Sequence, residues 1–318
     1  MVTLGDGKYT YAVSGANWGN LPAGANYKEA TSVAVDSQDN VYIFNRGTHP
    51  MVVYDSEGNL LRTWGHGIFD TPHGVAVGPD DSVYCIDSGD STVRKFTPEG
   101  ELLLTLGTPH EPPPPMSGAP FNRPTTVAFV PGSDDFFVAD GYSNAHVHKF
   151  SGDGELLHSW GASGTEPGHF NIVHDISVDA AGRVYIADRE NHRVQIFSGE
   201  GEYLTQWVNL SKAACVLADP RGEDLVYVGE YFGGIDSNNM GMDLGPRVSI
   251  LDTAGNVLAR LGRESYGDAP GRFYSPHSLA VDSRGDIYVA EVSWSEYGMK
   301  LDPPRELRSL QKLIHQPA

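Results

Sequence analysis

Residues 31–65 read TSVAVDSQDNVYIFNRGTHPMVVYDSEGNLLRTWG, and residues 73–107 read HGVAVGPDDSVYCIDSGDSTVRKFTPEGELLLTLG. Both hold four short runs in which apolar and polar residues alternate, and the last run ends in a large apolar residue followed by glycine. Alternation at period two marks strands with one buried face. The D-x-x-G, S-E-G-N and P-E-G-E stretches between runs mark tight turns. The same layout returns at 125–161 as TTVAFVPGSDDFFVADGYSNAHVHKFSGDGELLHSWG and at 174–207 as HDISVDAAGRVYIADRENHRVQIFSGEGEYLTQW. A more divergent copy runs from Ala214 to near Gly262, and a sixth opens at His277 with HSLAVDSRGDIYVAEVSW.

The first apolar residues of the copies are Val33, Val75, Val127, Ile176, Val216 and Leu279, at separations of 42, 52, 49, 40 and 63. Those periods suit four-stranded propeller blades with insertions. The sixth copy runs out after Trp294 without outer strands, whereas YTYAVSGANWG at 9–19 resembles a blade's last strand. The sequence therefore predicts an all-β chain, residues 1–318 forming a single six-bladed β-propeller. Its blades lie near 31–65, 73–107, 125–161, 174–207, 214–262 and 277–300, and 9–19 closes the ring, which removes open sheet edges. Two connections are long: 108–124, with prolines at 112–115, and 231–247 inside the fifth copy. Both are expected on one face, where long loops build or cover a site; the proline run reads as a stiff lid or spacer.

Of the 318 residues, 22 are Lys or Arg and 41 are Asp or Glu, a formal charge of −19. That charge repels phosphate backbones and anionic lipid, so nucleic-acid and membrane-surface partners are not expected. No apolar run reaches the length of a membrane-spanning helix. The opening MVTLGDGKYTYAVSG lacks a basic patch followed by an apolar core, and Cys85 and Cys215 make no disulfide framework. A cytoplasmic monomer or small homo-oligomer is the expectation. Both cysteines sit in strand runs and read as small buried apolar residues.

One register carries the chemistry. The residue that opens the first strand of each copy is Thr31, His73, Thr125, His174, Ala214 and His277. Innermost strands line a propeller's channel, so alternate blades set these three histidines about 120° apart at one height. That is the arrangement of a three-histidine metal site with an open fourth position. A second register, the residue after each second strand, is Arg46, Ser88, Gly141, Arg189, Tyr231 and Val292. Arg46 and Arg189 come from opposing blades, and guanidinium groups clamp carboxylates; pairing with local acids such as Asp140 or Glu190 is the competing reading. Tyr142 follows Gly141, and positive charge nearby would favour its phenolate as a general base.

The third and fourth copies, with PHGVAV at 72–77 and SPHSLAV at 275–281, resemble the NHL-repeat catalytic core of peptidyl-α-hydroxyglycine α-amidating lyases across roughly residues 31–292. The specific features are the three alternating histidines together with DGYSN and ADREN. The resemblance implies an NHL-type propeller that cleaves the C–N bond of a hydroxyglycine to an amide and glyoxylate. It implies His73, His174 and His277 as zinc ligands, Tyr142 as the catalytic tyrosine, and Arg46 and Arg189 as the active-site arginines. Two positions depart from the pattern. Ser278 stands where the family has a calcium-binding aspartate, with Asp175 after the second histidine instead, which puts structural Ca2+ in doubt. Ser275 stands where the family has a methionine. No copper domain or secretory leader is visible, so a small intracellular metabolite is expected in place of a peptide.

The functional expectation is a metal-dependent lyase acting on a small α-hydroxyglycine-like carboxylate. Zinc is the first choice of metal, and iron, manganese or nickel also suit imidazole ligands. A metal-dependent hydrolase or lactonase, or a non-catalytic NHL interaction scaffold, are the alternatives. His146 and His148 read as ordinary packing on a third strand, while His66 and His169 lie in loops ahead of ligand histidines, where spacing alone does not decide.

Overall fold

The computed structural model describes residues 2–14, 18–232, 244–262 and 266–316. Six antiparallel sheets form the ring. Their innermost strands are Ala30–Val35, Pro72–Val77, Thr126–Phe129, Val173–Val178, Lys212–Ala218 and Pro276–Val281. The first five sheets hold four strands each, in chain order from the axis outward. The three inner strands of these sheets are almost wholly buried, and the fourth is largely exposed. Pro276–Val281 packs against Ala30–Val35, so the last blade meets the first, and a Ser32–Ser278 hydroxyl contact of 3.0 Å spans that seam.

The closing blade has five strands, ordered Thr3–Leu4, Thr10–Val13, Leu310–Gln316, Ile287–Glu291 and Pro276–Val281. The N-terminal strand does close the ring, but it pairs with Leu310–Gln316, with Tyr11 opposite His315. That C-terminal strand extends the blade beyond the expected limit at 300. LQKLIHQ conceals it because its central buried positions include Gln311 and Lys312. The Lys312 ammonium is held 3.0 Å from Asp286 and 2.9 Å from the Ser56 carbonyl, so the strand buries a charge where alternation leads one to look for an apolar residue. Of the connection 231–247, residues 233–243 lie outside the described residues.

The repeated Trp-Gly has a packing cause. Trp18, Trp64, Trp160 and Trp207 each lie on the turn glycine before the last strand of the next blade, at Gly58, Gly100, Gly201 and Gly255. Leu106 plays this part against Gly154. Each of these glycines has φ between 82° and 93°, a region that L side chains avoid. A Cβ on Gly201 would also lie 2.8 Å from the Trp160 ring.

An acid that ends the second strand of blades two to six, or stands one residue before its end in blade five, is a second recurring device. Asp87, Asp140, Asp188, Glu230 and Glu291 are fully buried and accept backbone N–H bonds from Asp70 and Thr71, Asn122, Asn171, Ser211, and Tyr274 and Ser275. In these five blades the carboxylate fixes the loop that leads into the innermost strand, and hence the residue that opens it. His148 belongs to this layer, pairing with Asp140 at 3.3 Å and Ser159 at 2.8 Å.

Gly201→Ala should destabilise the ring by about 1–3 kcal/mol, combining left-handed strain with the indole clash. Gly182→Ala supplies the control, since φ is 79° there but nothing lies within 4 Å of a Cβ. Urea midpoints should fall further for Gly201→Ala; equal shifts would show that the tryptophan contact contributes nothing.

Candidate functional site

His73, His174 and His277 open the innermost strands of blades two, four and six, and each sits at a break in strand register. Pairing skips from Pro72 to Gly74, from Val173 to Asp175 and from Pro276 to Ser278. Such a bulge leaves its extra residue out of the ladder and re-aims the side chain. The three rings converge with centroids 5.1, 4.8 and 4.7 Å apart, all buried. One ligand atom from each lies within 4.8 Å of the others, a group that could hold a metal ion.

The same register in the odd blades supplies the support. His73 Nδ1 donates to the Thr125 carbonyl at 2.8 Å, His174 Nδ1 to Ala214 at 2.5 Å, and His277 Nδ1 to Thr31 at 2.6 Å. A carbonyl only accepts, so the proton is fixed on Nδ1 and the Nε2 lone pair is left for a ligand, the usual support of metal-binding histidine. Burial, reinforced by Arg46 and Arg189, holds His277 down at about 3. His73 and His174 are lowered well below the usual imidazole range, again mainly by burial. All three are neutral at physiological pH, the form that binds metal.

Tyr142 stands over this cluster. Its phenol oxygen is 3.0 Å from His73 Nε2 and 3.1 Å from His174 Nε2, and Arg189 Nη1 donates to it at 3.4 Å. Gly141 makes the approach possible, because a Cβ there would run into the Val173 carbonyl immediately before His174. The 108–124 connection braces the same turn: Met116 N–H bonds Ser143 O at 2.8 Å, and Gly118 N–H bonds Asn144 Oδ1 at 2.9 Å.

Both predicted arginines lie close enough to bias the histidines electrostatically, and both have acidic partners. Arg189 Nε pairs with Glu190 at 2.9 Å, and Glu190 also holds Lys212 at 2.8 Å. Arg46 Nη1 pairs with Glu29 at 2.7 Å and its Nε donates to Pro72 O at 3.2 Å. Asp140 touches neither arginine. In both guanidiniums Nη2 has no hydrogen-bond partner among the described residues.

Sequence reasoning missed Glu29, which is buried and also accepts from Ser295 N at 2.7 Å and Oγ at 2.6 Å. It missed Arg123, whose guanidinium lies 5.0 Å from the Tyr142 ring centroid. Both stand two residues before the opener of their innermost strand, in the register Glu29, Thr71, Arg123, Ile172, Lys212 and Ser275, whose unlike residue types leave no pattern to follow. Ser278 bonds Ser32 Oγ and Val33 N, while Asp175 accepts from Val216 N at 2.9 Å and is raised by burial to about 7. The three histidines are the one group of three metal-ligating side chains found among the described residues. His66 and His169 are not in it. His146 stacks on His148 at 6.0 Å, in the third strand of blade three. Cys85 and Cys215 are free and buried, and burial pushes both thiols up.

NHL repeat sequences match residues 170–197 and 273–295. The chain is 31% identical to human NHL repeat-containing protein 3 over 277 residues, 82% of this chain and 76% of that protein. It is 34% identical to peptidyl-alpha-hydroxyglycine alpha-amidating lyase 1 of Drosophila melanogaster over 255 residues, 74% of this chain and 45% of that one. With peptidyl-glycine alpha-amidating monooxygenase A of Xenopus laevis it shares 28% identity over 91% of this chain and 34% of that protein. A solved streptogramin B lyase superposes with a TM-score of 0.62 at 9% identity, covering 96% and 98% of the two chains, which shows a shared fold. With register, geometry and relatives in agreement, the chain belongs to the NHL-repeat β-propellers of the amidating-lyase type.

Proposed function

We propose that this protein is a metal-dependent lyase that cleaves the C–N bond of a small α-hydroxyglycine-like carboxylate and releases glyoxylate and an amide or amine. The observation that carries the reading is a phenol within hydrogen-bond distance of two of three buried, neutral imidazoles and of a guanidinium. The relatives named as amidating lyases support the same chemistry.

The donor set fits a divalent transition ion. Three Nε2 atoms converge, each with its tautomer fixed from behind, and an all-imidazole set suits zinc first, then iron, manganese or nickel. Such an ion supplies Lewis acidity that makes a substrate hydroxyl easier to deprotonate. The residues do the rest. Arg46 and Arg189 each offer a free Nη2 to the substrate carboxylate and hold it in place. Starting as phenolate, Tyr142 takes the hydroxyl proton at its oxygen; the O–H electron pair becomes the new C=O bond, the C–N bond breaks, nitrogen leaves with its electron pair, and the proton held by Tyr142 passes to it. Arg189 also stabilises the Tyr142 oxygen while it carries charge.

The substrate is proposed to be a small anionic metabolite met by a cytoplasmic monomer or small homo-oligomer. No helix among the described residues is long and apolar enough to cross a membrane.

Purified protein should contain stoichiometric zinc or another transition metal and release glyoxylate from an N-acyl-α-hydroxyglycine. His174→Ala should lose both; full metal content in that variant would contradict the assignment. Calcium without a transition metal would favour a hydrolase, and no tightly bound metal a scaffold. Tyr142→Phe should keep the metal and lose about 10²–10⁴ in kcat, and undiminished turnover would remove the tyrosine from the reaction.

Acid resistance tests the environment of the ligands. Protons compete with metal for Nε2, and all three imidazoles resist protonation far below their ordinary value of 6.5. Metal should therefore remain bound after gel filtration at about pH 5.5, where unperturbed imidazoles are mostly protonated. Release with a midpoint near 6.5 would show that burial does not protect the site.

A further inference from the structure

We infer that Tyr231 is the hydrogen-bond donor to the leaving group, its phenol O–H stabilising the charge that forms on the departing amide as the C–N bond breaks. The inference rests on the lyase reading above and adds a residue to it. Tyr231 occupies the same register as Arg46 and Arg189, at the end of the second strand of blade five (Leu225–Tyr231). It is 93% buried, and its hydroxyl has no hydrogen-bond partner among the described residues. A buried hydroxyl without a partner costs free energy in the resting protein, so a partner is to be looked for in a ligand.

Its surroundings place that ligand in the site. The Tyr231 ring centroid is 6.5 Å from that of His277, and the phenol is within electrostatic reach of both Arg189 and Tyr142. Ala214 from the first site register and Val292 from the second pack against it, and Glu296 also acts on it electrostatically. The carboxylate has two guanidiniums to go to. An uncharged donor flanked by these two apolar side chains complements a different group, an amide oxygen that is neutral in the substrate and gains charge as nitrogen leaves. Burial raises the phenol well above its ordinary value, so Tyr231 donates a hydrogen bond and keeps its proton. Donors aimed at charge that develops only during reaction accelerate the chemical step.

The test uses metal-loaded enzyme and a series of para-substituted N-benzoyl-α-hydroxyglycines, with glyoxylate release as readout. Tyr231→Phe removes only the oxygen. It should lower kcat about 10²-fold with metal content unchanged and the thermal midpoint not lowered, and kcat should depend more steeply on leaving-group basicity than in the wild type. A merely structural tyrosine would leave that slope unaltered. An active wild type whose slope and kcat match those of the variant overturns the role of Tyr231 and leaves the lyase reading standing. A wild type that releases no glyoxylate from any member overturns both.

Discussion

The site depends on a pairing between neighbouring blades, in which an imidazole N–H on one strand donates to a main-chain carbonyl on the next. It occurs three times, from His73 to Thr125, from His174 to Ala214 and from His277 to Thr31. Each even blade gives a side chain and each odd blade gives only backbone. Ala214 can therefore stand where blades one and three have threonine, because its side chain is not what is used. The register breaks at His73, His174 and His277 free these residues from the ladder so that they turn toward the axis, and the buried acids at the ends of the second strands fix the loops leading into them. Ligand geometry is thus a property of the whole ring. No short segment contains it.

The electrostatics of the site run against those of the molecule. The chain carries −19, yet Arg46 and Arg189 act on neutral histidines and Arg123 lies over the Tyr142 ring. Glu29 and Glu190 each take one edge of a guanidinium, which orients Arg46 and Arg189 and offsets part of their charge without closing the remaining Nη2. A buried arginine left wholly unpaired would be far more expensive to desolvate. Partial pairing keeps two cations inside the ring while leaving each a donor for an anion. It also explains why the competing reading of the arginines, local ion pairs, and the binding reading are compatible: the two uses fall on different nitrogens.

How much was legible follows from what repeats. The blades, the histidine alternation and the arginine register are periodic in the sequence, so aligning the copies with one another is enough to see them. Tyr142 was reached because it adjoins Gly141 in that register. Glu29 and Arg123 share a further register, two residues before each innermost-strand opener, but Glu29, Thr71, Arg123, Ile172, Lys212 and Ser275 have no chemistry in common, so alignment of the copies singles out none of them. The C-terminal strand escaped for another reason: Lys312 satisfies its charge through Asp286 and Ser56, contacts that come from other parts of the ring, so the strand's burial is invisible to any local pattern. The register break at each histidine was equally hidden, since it is set by how two strands pair and not by the residues at the break.

Sixfold repetition by itself would give six equivalent positions around an axis, which suits packing and is poor for chemistry. The two registers break the symmetry differently. The first keeps a strict threefold alternation, which brings three like side chains together in a group that could hold a metal ion. The second abandons symmetry, with Arg46, Ser88, Gly141, Arg189, Tyr231 and Val292 presenting unlike chemistry around the ring. Gly141 is the extreme case: by giving up its side chain it lets the next residue, Tyr142, come over His174. A ring that is regular at one level and irregular at the level above it can hold an ion centrally and still bind a small molecule in one orientation.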